Sequence, residues 1–527
     1  MKEEIKKAVQ ASILALQKEN IFPVFVMPEL VVDIPKEEKF GDYSTNVAMT
    51  LVKIIGKKPL EIAEEIKNKL VSDNFEKIDV VAPGYVNFYL AEKYLQDKVA
   101  EIKGKKNDFG KSEIGKGKKI HLDFVSANPT GPVHLGNGRG GPFGDALANI
   151  LKKSGYAAWR EYYVNDYGNQ IKVLGHSILK DEEAQYSGTY IDELGKRIKT
   201  TDPFVVGQEA AKIIVAEIIK PAMEKVGIYF DNYFSEKTLH ESGEFDKVYQ
   251  DLIEKDLIYE KDGAFWFRAE KFGDEKDRVV RKTSGEVTYF GGDIAYHKNK
   301  FERGFDKVID IWGADHHGDV KRVLGAIEAL GYGGKADIIL TQFVRVMQNR
   351  EEVKMSKRKG TYVCIDDLVD EVGKDAVRFF FLMYSNDTHM TFDLDLAKER
   401  SEKNPVFYVQ YAHARICSIL RKAEEQKINF IGDDLSKLTH EKELSLIKEL
   451  NKFPEMVEEI SRTYEVHKLP YYAIKLADKL HSYYNECKVI NNDDLALTKA
   501  RLSLITAVRI TLAETLKLIG VDAPEKM

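Results

Sequence analysis

The sequence predicts a multidomain α/β protein: a parallel-sheet nucleotide-binding domain, preceded by a small α+β domain and followed by an all-α domain. Three observations predict it. At 527 residues the chain exceeds one ordinary core and divides into roughly three or four domains of about 150 residues. A strand, a Pro/Gly-dense turn, a helix and a second strand follow one another from Ile120 to Val164, the opening of a Rossmann-like parallel sheet. After about Phe392 the strand signals cease and only long helical patterns remain.

Taken in order, Ile5, Val9, Ile13, Leu14 and Leu16 give a helix over residues 1 to about 20, and a second runs from about Asn46 to Ile55. Pro59 opens a third, with Ile62, Ile66 and Leu70 every four residues. The turn at Pro83-Gly84 leads into an alternating strand, Tyr85–Leu90, which completes a domain over 1–105. Lys and Gly dominate Lys103 to Lys119, so 106–119 reads as a flexible linker. Residues 120–390 then form the Rossmann-like domain with insertions. Its strands are expected at Ile120–Val125, Ala157–Val164, Val308–Trp312 and Ile338–Val346, and its first helix carries Phe143, Leu147, Ile150 and Leu151. Residues 391–527 form the helical domain, with helices near Asn404–Glu424 and Pro470–Tyr484.

Composition narrows the function. With 43% hydrophobic and 31% charged residues and no apolar run near ~18 residues, a membrane span is not expected. The start, Met1-Lys2-Glu3-Glu4, shows no export signal, and Cys364, Cys417 and Cys487 are too far apart for a disulfide framework or zinc cluster. A cytoplasmic protein is expected. The charge of −6 disfavours DNA and requires any nucleic-acid contact to use local basic patches.

Two stretches carry chemistry. Asn128-Pro129-Thr130-Gly131-Pro132-Val133-His134-Leu135-Gly136-Asn137-Gly138 lies between a strand and a helix, where free N–H groups favour phosphate. His134 could bond a phosphate oxygen and Gly136 could let an adenine lie on bare backbone; by itself the stretch reads equally as a glycine-rich turn. Lys354-Met355-Ser356-Lys357-Arg358-Lys359-Gly360 clusters cations in a loop that could neutralise charge as pyrophosphate leaves. Alone, that is also the composition of a solvated basic loop.

Together these stretches resemble the two signatures of class I aminoacyl-tRNA synthetases, with Asn137 where the first signature ends in histidine and Arg358 where the second ends in serine. Asn137 cannot carry a positive charge, so phosphate stabilisation leans on His134 and the lysines. Within that class the chain resembles arginyl-tRNA synthetases. The resemblance lies in Phe124-Val125-Ser126-Ala127-Asn128-Pro129-Thr130-Gly131-Pro132, Tyr163-Val164-Asn165-Asp166-Tyr167-Gly168-Asn169-Gln170, Trp312-Gly313-Ala314-Asp315-His316-His317, Gly373-Lys374-Asp375-Ala376-Val377-Arg378-Phe379 and Ala523-Pro524-Glu525-Lys526-Met527. Gly41-Asp42-Tyr43 and Pro83-Gly84-Tyr85-Val86-Asn87-Phe88 resemble the family's extra amino-terminal domain, which separates it from other synthetases.

The resemblance implies activation of arginine by ATP and its transfer to the 3′ end of its tRNA. His134, Asn137, Lys354 and Lys357 would be catalytic, and Gly136, Gly313, Asp315, Met355 and Ser356 would contact ATP. Asp123, Asn128, Tyr289, Asp293 and His317 would contact arginine, whose guanidinium offers only donors and so calls for carboxylates. Gln410, Tyr411 and Arg415 would contact tRNA in a helical anticodon-binding domain, where core packing of the aromatics is an equally available reading. Mg²⁺ would arrive with ATP as substrate. No permanent cofactor and no protein-held metal are expected, and the chain would act as a monomer. The competing readings are a glutamyl or class I lysyl enzyme, and a silent tRNA-binding paralogue.

Overall fold

The computed structural model describes residues 1–353, 363–430 and 432–527. In the first domain the helix Lys2–Lys18 buries Ile5, Val9, Ile13 and Leu16, whereas Leu14 faces solvent. Val47–Ile55 ends at Gly56 in the left-handed conformation, and Pro59–Lys69 starts on its proline. The strand Tyr85–Leu90 appears as expected, inside a four-stranded antiparallel sheet with Val32–Asp33, Tyr43–Thr45 and Phe75–Val81.

The segment read as connector is more ordered than its composition suggests. A helix leads into it from within the first domain, Glu92–Lys105, which the sequence pattern did not predict and which buries Leu95, Val99 and Ile102 at i, i+4 and i+7. Phe109 is buried against Phe453 at 5.8 Å, and the Ser112 N–H donates to the Lys153 carbonyl at 3.1 Å. A few apolar anchors at the right spacing hold a lysine-rich stretch in place.

The central domain is built on five parallel strands in the spatial order Ala336–Thr341, Lys307–Gly313, Lys119–Phe124, Ala157–Val164, Asn232–Ser235. The chain starts in the middle, builds outward on one side and then returns to build the other. The order therefore reverses beside Lys119–Phe124 and Lys307–Gly313, and ligands in such sheets lie beyond the strand ends at that reversal. Ile338–Val346, expected as one strand, is two: Ala336–Thr341 in the parallel sheet, and Val344–Gln348 in a separate sheet with Glu351–Glu352 and Met390–Asp393. An antiparallel insertion, Ile258–Lys261, Ala264–Phe267 and Arg278–Arg281, precedes the helix Tyr289–Glu302.

Alternation along Lys119–Phe124 gives the sheet two unlike faces. Ile120, Leu122 and Phe124 pack toward the helix Gly140–Lys153, so closely that a Cβ on Gly144 would come within 2.4 Å of the Phe124 ring. His121 and Asp123 point the other way, toward Tyr289–Glu302.

The last domain comprises Pro405–Glu425, Glu441–Asn451, Phe453–Thr463, Lys468–Glu486 and Leu495–Leu518. It touches the first through Tyr43, whose hydroxyl donates to Glu455 at 3.3 Å and accepts from Asn451 at 3.3 Å. It is joined to the central domain by Arg378, fully buried, which donates to the Ile519 carbonyl at 2.8 Å and to Asp145 at 2.6 Å. Among the described residues no helix is long and apolar enough to cross a membrane.

Candidate active site

The loop after Lys119–Phe124 turns through two non-glycine residues of positive φ, Val125 and Ser126, at 69° and 36°. Ser126 Oγ holds this turn by donating to Asp123 Oδ1 at 2.5 Å and accepting from the Tyr163 N–H at 3.0 Å. Tyr162 and Tyr190 then donate to the carbonyls of Ala127 and Thr130 at 2.7 and 2.9 Å, leaving Asn128 exposed between them.

The first motif becomes a four-residue helix, Leu135–Gly138, capped by His134 Nδ1, which accepts from the Gly136 N–H at 3.3 Å. Burial lowers the His134 pKa, favouring the neutral imidazole. Asn137 is exposed beside it. Gly138 is required by packing, since a Cβ there would approach the Ile365 side chain to 2.9 Å.

Lys354, Met355, Ser356 and Lys357 lie outside the described residues. The chain beyond them returns to the first motif: the Leu135 N–H donates to the Val363 carbonyl at 3.1 Å, the Ile365 N–H to Val133 at 3.3 Å, and His134 and Cys364 form an antiparallel bridge. Arg139, not singled out from the sequence, is buried and donates to the carbonyls of Gln342, Thr388 and Ser385 at 2.8, 2.7 and 2.9 Å. Desolvation brings its pKa down to about 10. It ties the first motif to the strand end and loop on its other side.

At the end of Lys307–Gly313 the chain makes a tight helical turn, Ala314–Asp319. A Cβ on Gly313 would lie 2.4 Å from Asp315 Oδ1, so glycine lets that carboxylate fold over the strand end. Asp315, His316 and His317 are exposed, and His316 Nδ1 lies 3.1 Å from Asp319. Cys364 is buried beside the half-buried Asp366 and Asp367, their ligand atoms within 4.8 Å of one another; one thiol and two carboxylates do not make a closed zinc set.

Asp293 lies just past the first turn of Tyr289–Glu302, whose start is capped by Thr288 Oγ1 accepting from the Gly291 N–H at 3.2 Å. Burial first, and then the Glu236 carboxylate, push its pKa up to about 6. Glu236 follows the strand Asn232–Ser235 and reaches over this turn: a Cβ on Gly292 would be 3.5 Å from Glu236 Oε1. The Asn165 amide, its nitrogen turned toward Glu236 Oε2, donates at 2.6 Å. A nearby carboxylate opposes the ionisation of Asp293 in this desolvated position, and a planar cation bound there would relieve it. Tyr289, 63% exposed, stands at the rim. Glu236 belongs to no motif and was not legible in the sequence; only the fold brings it to Asp293.

Asp123 is placed differently from the other expected arginine contacts. It is buried beneath the helix Tyr289–Glu302, with Oδ2 accepting from Lys300 at 3.1 Å and Oδ1 from Ser126. In the last domain Gln410 donates to Asp375 at 2.7 Å and to the Asp522 carbonyl at 2.9 Å, so its amide holds the chain near Asp522. Tyr411 is exposed, and the exposed Arg415 lies over the Tyr484 ring at 4.8 Å.

Comparison with known proteins gives this site a class. A family model described as tRNA synthetases class I (R), catalytic domain, matches residues 98–202 and 207–395, which makes the central unit a class I tRNA synthetase catalytic domain. It is flanked by matches to the arginyl tRNA synthetase N terminal domain at 1–90 and the DALR anticodon binding domain at 409–527. The chain belongs to the arginyl-tRNA synthetase family. It is 45% identical to an arginine–tRNA ligase of Bacillus licheniformis and 44% identical to that of Bacillus subtilis, each alignment covering 100% of this chain and 98% of the relative. The fold is shared with Thermus thermophilus arginyl-tRNA synthetase (TM-score 0.78, 22% identity, 100% of both chains) and with the Plasmodium falciparum enzyme (TM-score 0.79, 20% identity, 100% of this chain and 99% of that one).

Proposed function

We infer that the chain is an arginine–tRNA ligase. A carboxylate oxygen of L-arginine attacks the α-phosphorus of ATP, the bond to the β-phosphate breaks, and arginyl-adenylate and pyrophosphate result. A terminal ribose hydroxyl of the arginine tRNA then attacks the adenylate carbonyl, its proton is lost, and AMP leaves. No covalent enzyme intermediate and no permanent cofactor enter; Mg²⁺ arrives on the ATP phosphates. The work is positioning and charge stabilisation.

The observation that carries the reading is the Asp293–Glu236 pair beside the sheet's reversal point, close to the turn after Lys119–Phe124. Asp293 and Glu236 receive the guanidinium, with Tyr289 at the rim; Asn128 and His317 bind the rest of the amino acid, and Asp123 supports them from below. Gly136, Gly313, Asp315, Met355 and Ser356 hold adenosine and phosphates. His134, Asn137, Lys354 and Lys357 stabilise the charge that develops on the triphosphate. Residues 1–105 and 391–527, joined to the 120–390 catalytic unit by the 106–119 linker and by its far end, grip the tRNA, with Tyr411 and Arg415 facing it and Gln410 shaping that surface. The enzyme works as a cytoplasmic monomer.

ATP–pyrophosphate exchange with each amino acid, with and without arginine tRNA, tests this. Exchange should depend on arginine, and tRNA binding with no arginine-dependent exchange or charging would sink the reading. Lys357→Ala should lower exchange far more than tRNA affinity; equal losses would place that lysine on the RNA instead.

A further inference from the structure

Three carboxylates stand side by side in the sheet beneath the helix that carries Asp293. Asp310, Asp123 and Glu161 occupy paired positions on three neighbouring parallel strands, which stand about 4.8 Å apart. All three are buried. Like charges so placed repel, and burial strips them of water, so the row is costly unless it is matched.

The match comes from one face of Tyr289–Glu302 and its cap. Arg303 clamps Glu161 with two bonds of 2.7 Å, and Lys300 Nζ donates to Asp310 Oδ1 at 2.8 Å and to Asp123 Oδ2 at 3.1 Å. His297 lies 2.6 Å from Asp310 Oδ2 through one ring nitrogen and 2.7 Å from the Asp293 carbonyl through the other. Burial opposes the charge on Asp310, but Lys300 and His297 outweigh it and hold the carboxyl well below the usual range. Apolar side chains packed at this seam would hold the helix without fixing its height on the sheet. Point charges spaced like the strands admit one register.

We propose that Lys300 is a positioning residue for arginine recognition: by locking Tyr289–Glu302 to Asp123 and Asp310, it sets the height of the Asp293 carboxylate above the strand ends. Lys300 is fully buried and does not touch the substrate; it acts through the helix and through Asp123, whose carboxylate also holds the Ser126 turn. The inference rests on the reading of Asp293 as a guanidinium acceptor.

The test uses the full chain, with Lys300→Met and the charge-balanced Lys300→Met/Asp310→Asn, and reads arginine and ATP KM in tRNA charging beside the thermal midpoint. Lys300→Met should lower kcat/KM for arginine by roughly 100-fold through a raised arginine KM, with the ATP KM unchanged. The double variant should recover the thermal midpoint while its arginine KM stays high. A wild-type arginine KM in either variant, or recovery of KM together with stability, overturns the proposal. Should Lys300→Met not fold, the double variant decides alone. Failure of the unaltered protein to activate arginine would strike the functional reading instead.

Discussion

The two faces of the parallel sheet solve different problems. On one, Ile120, Leu122, Phe124, Ile309 and Ile311 meet Gly140–Lys153 in a continuous apolar layer. On the other, Asp310, Asp123 and Glu161 meet Lys300 and Arg303. Apolar burial is non-directional and stabilises whatever packs densely. Ion pairs out of water contribute little net stability but fail in any other arrangement. Stability and registration are thus divided between the two sides of one set of strands, and the helix that carries Asp293 lies on the side built for registration.

The most severe test of that division is Asp293→Asn. It should weaken kcat/KM for arginine by about 2–5 kcal/mol while leaving the thermal midpoint unchanged or higher, because an acid held in a desolvating site beside Glu236 is removed. A large loss of stability instead would make Asp293 structural. On the opposite face, Leu122→Ala should cost about 2–5 kcal/mol of unfolding free energy, read by denaturant titration, with no change in arginine KM. If arginine KM rose as it should in Lys300→Met, the two faces would not be functionally distinct.

A smaller effect follows from pH. Asp293 must be ionised to accept a guanidinium, so kcat/KM for arginine should rise with pH and level off above about 6, with about a tenfold deficit one unit below. Its folded-state value lies above the ordinary 3.8, so the folded chain takes up a proton between those values, and Asp293 makes stability fall as pH rises from 3.8 through about 6. Saturating arginine should reverse that slope. A flat profile between pH 5 and 7, each about one unit from 6, would remove Asp293 from the binding step.

Much of the framework was legible because local chemistry wrote it. Ala157–Val164 lies between Gly155 and the polar pair Asn165-Asp166, and Pro59 and Gly56 mark a helix start and a helix end. The helix Glu92–Lys105 escaped because its lysines outweigh three apolar anchors in composition. The split of Ile338–Val346 escaped because Thr341-Gln342, where the chain changes sheet, reads equally as two polar residues within one strand. In the site, His134 and Asp293 were visible as motif residues, while Glu236 and Arg139 were not. Each works through a partner remote in sequence, and a charged residue outside any motif ordinarily reads as solvent-facing. The acid row is the extreme case, since only the register of three strands makes it a row.

The bridge between His134 and Cys364 bears on how the protein is made. Closing it joins the two ends of almost the whole central unit, and contacts that close long loops form after local ones. During synthesis the first motif emerges early and must wait until residues Val363 to Ile365 leave the ribosome before these contacts can form. The closure of the central unit is then completed late, and a nascent chain stalled before that point would have all five strands of its parallel sheet but not the contact that joins its two ends.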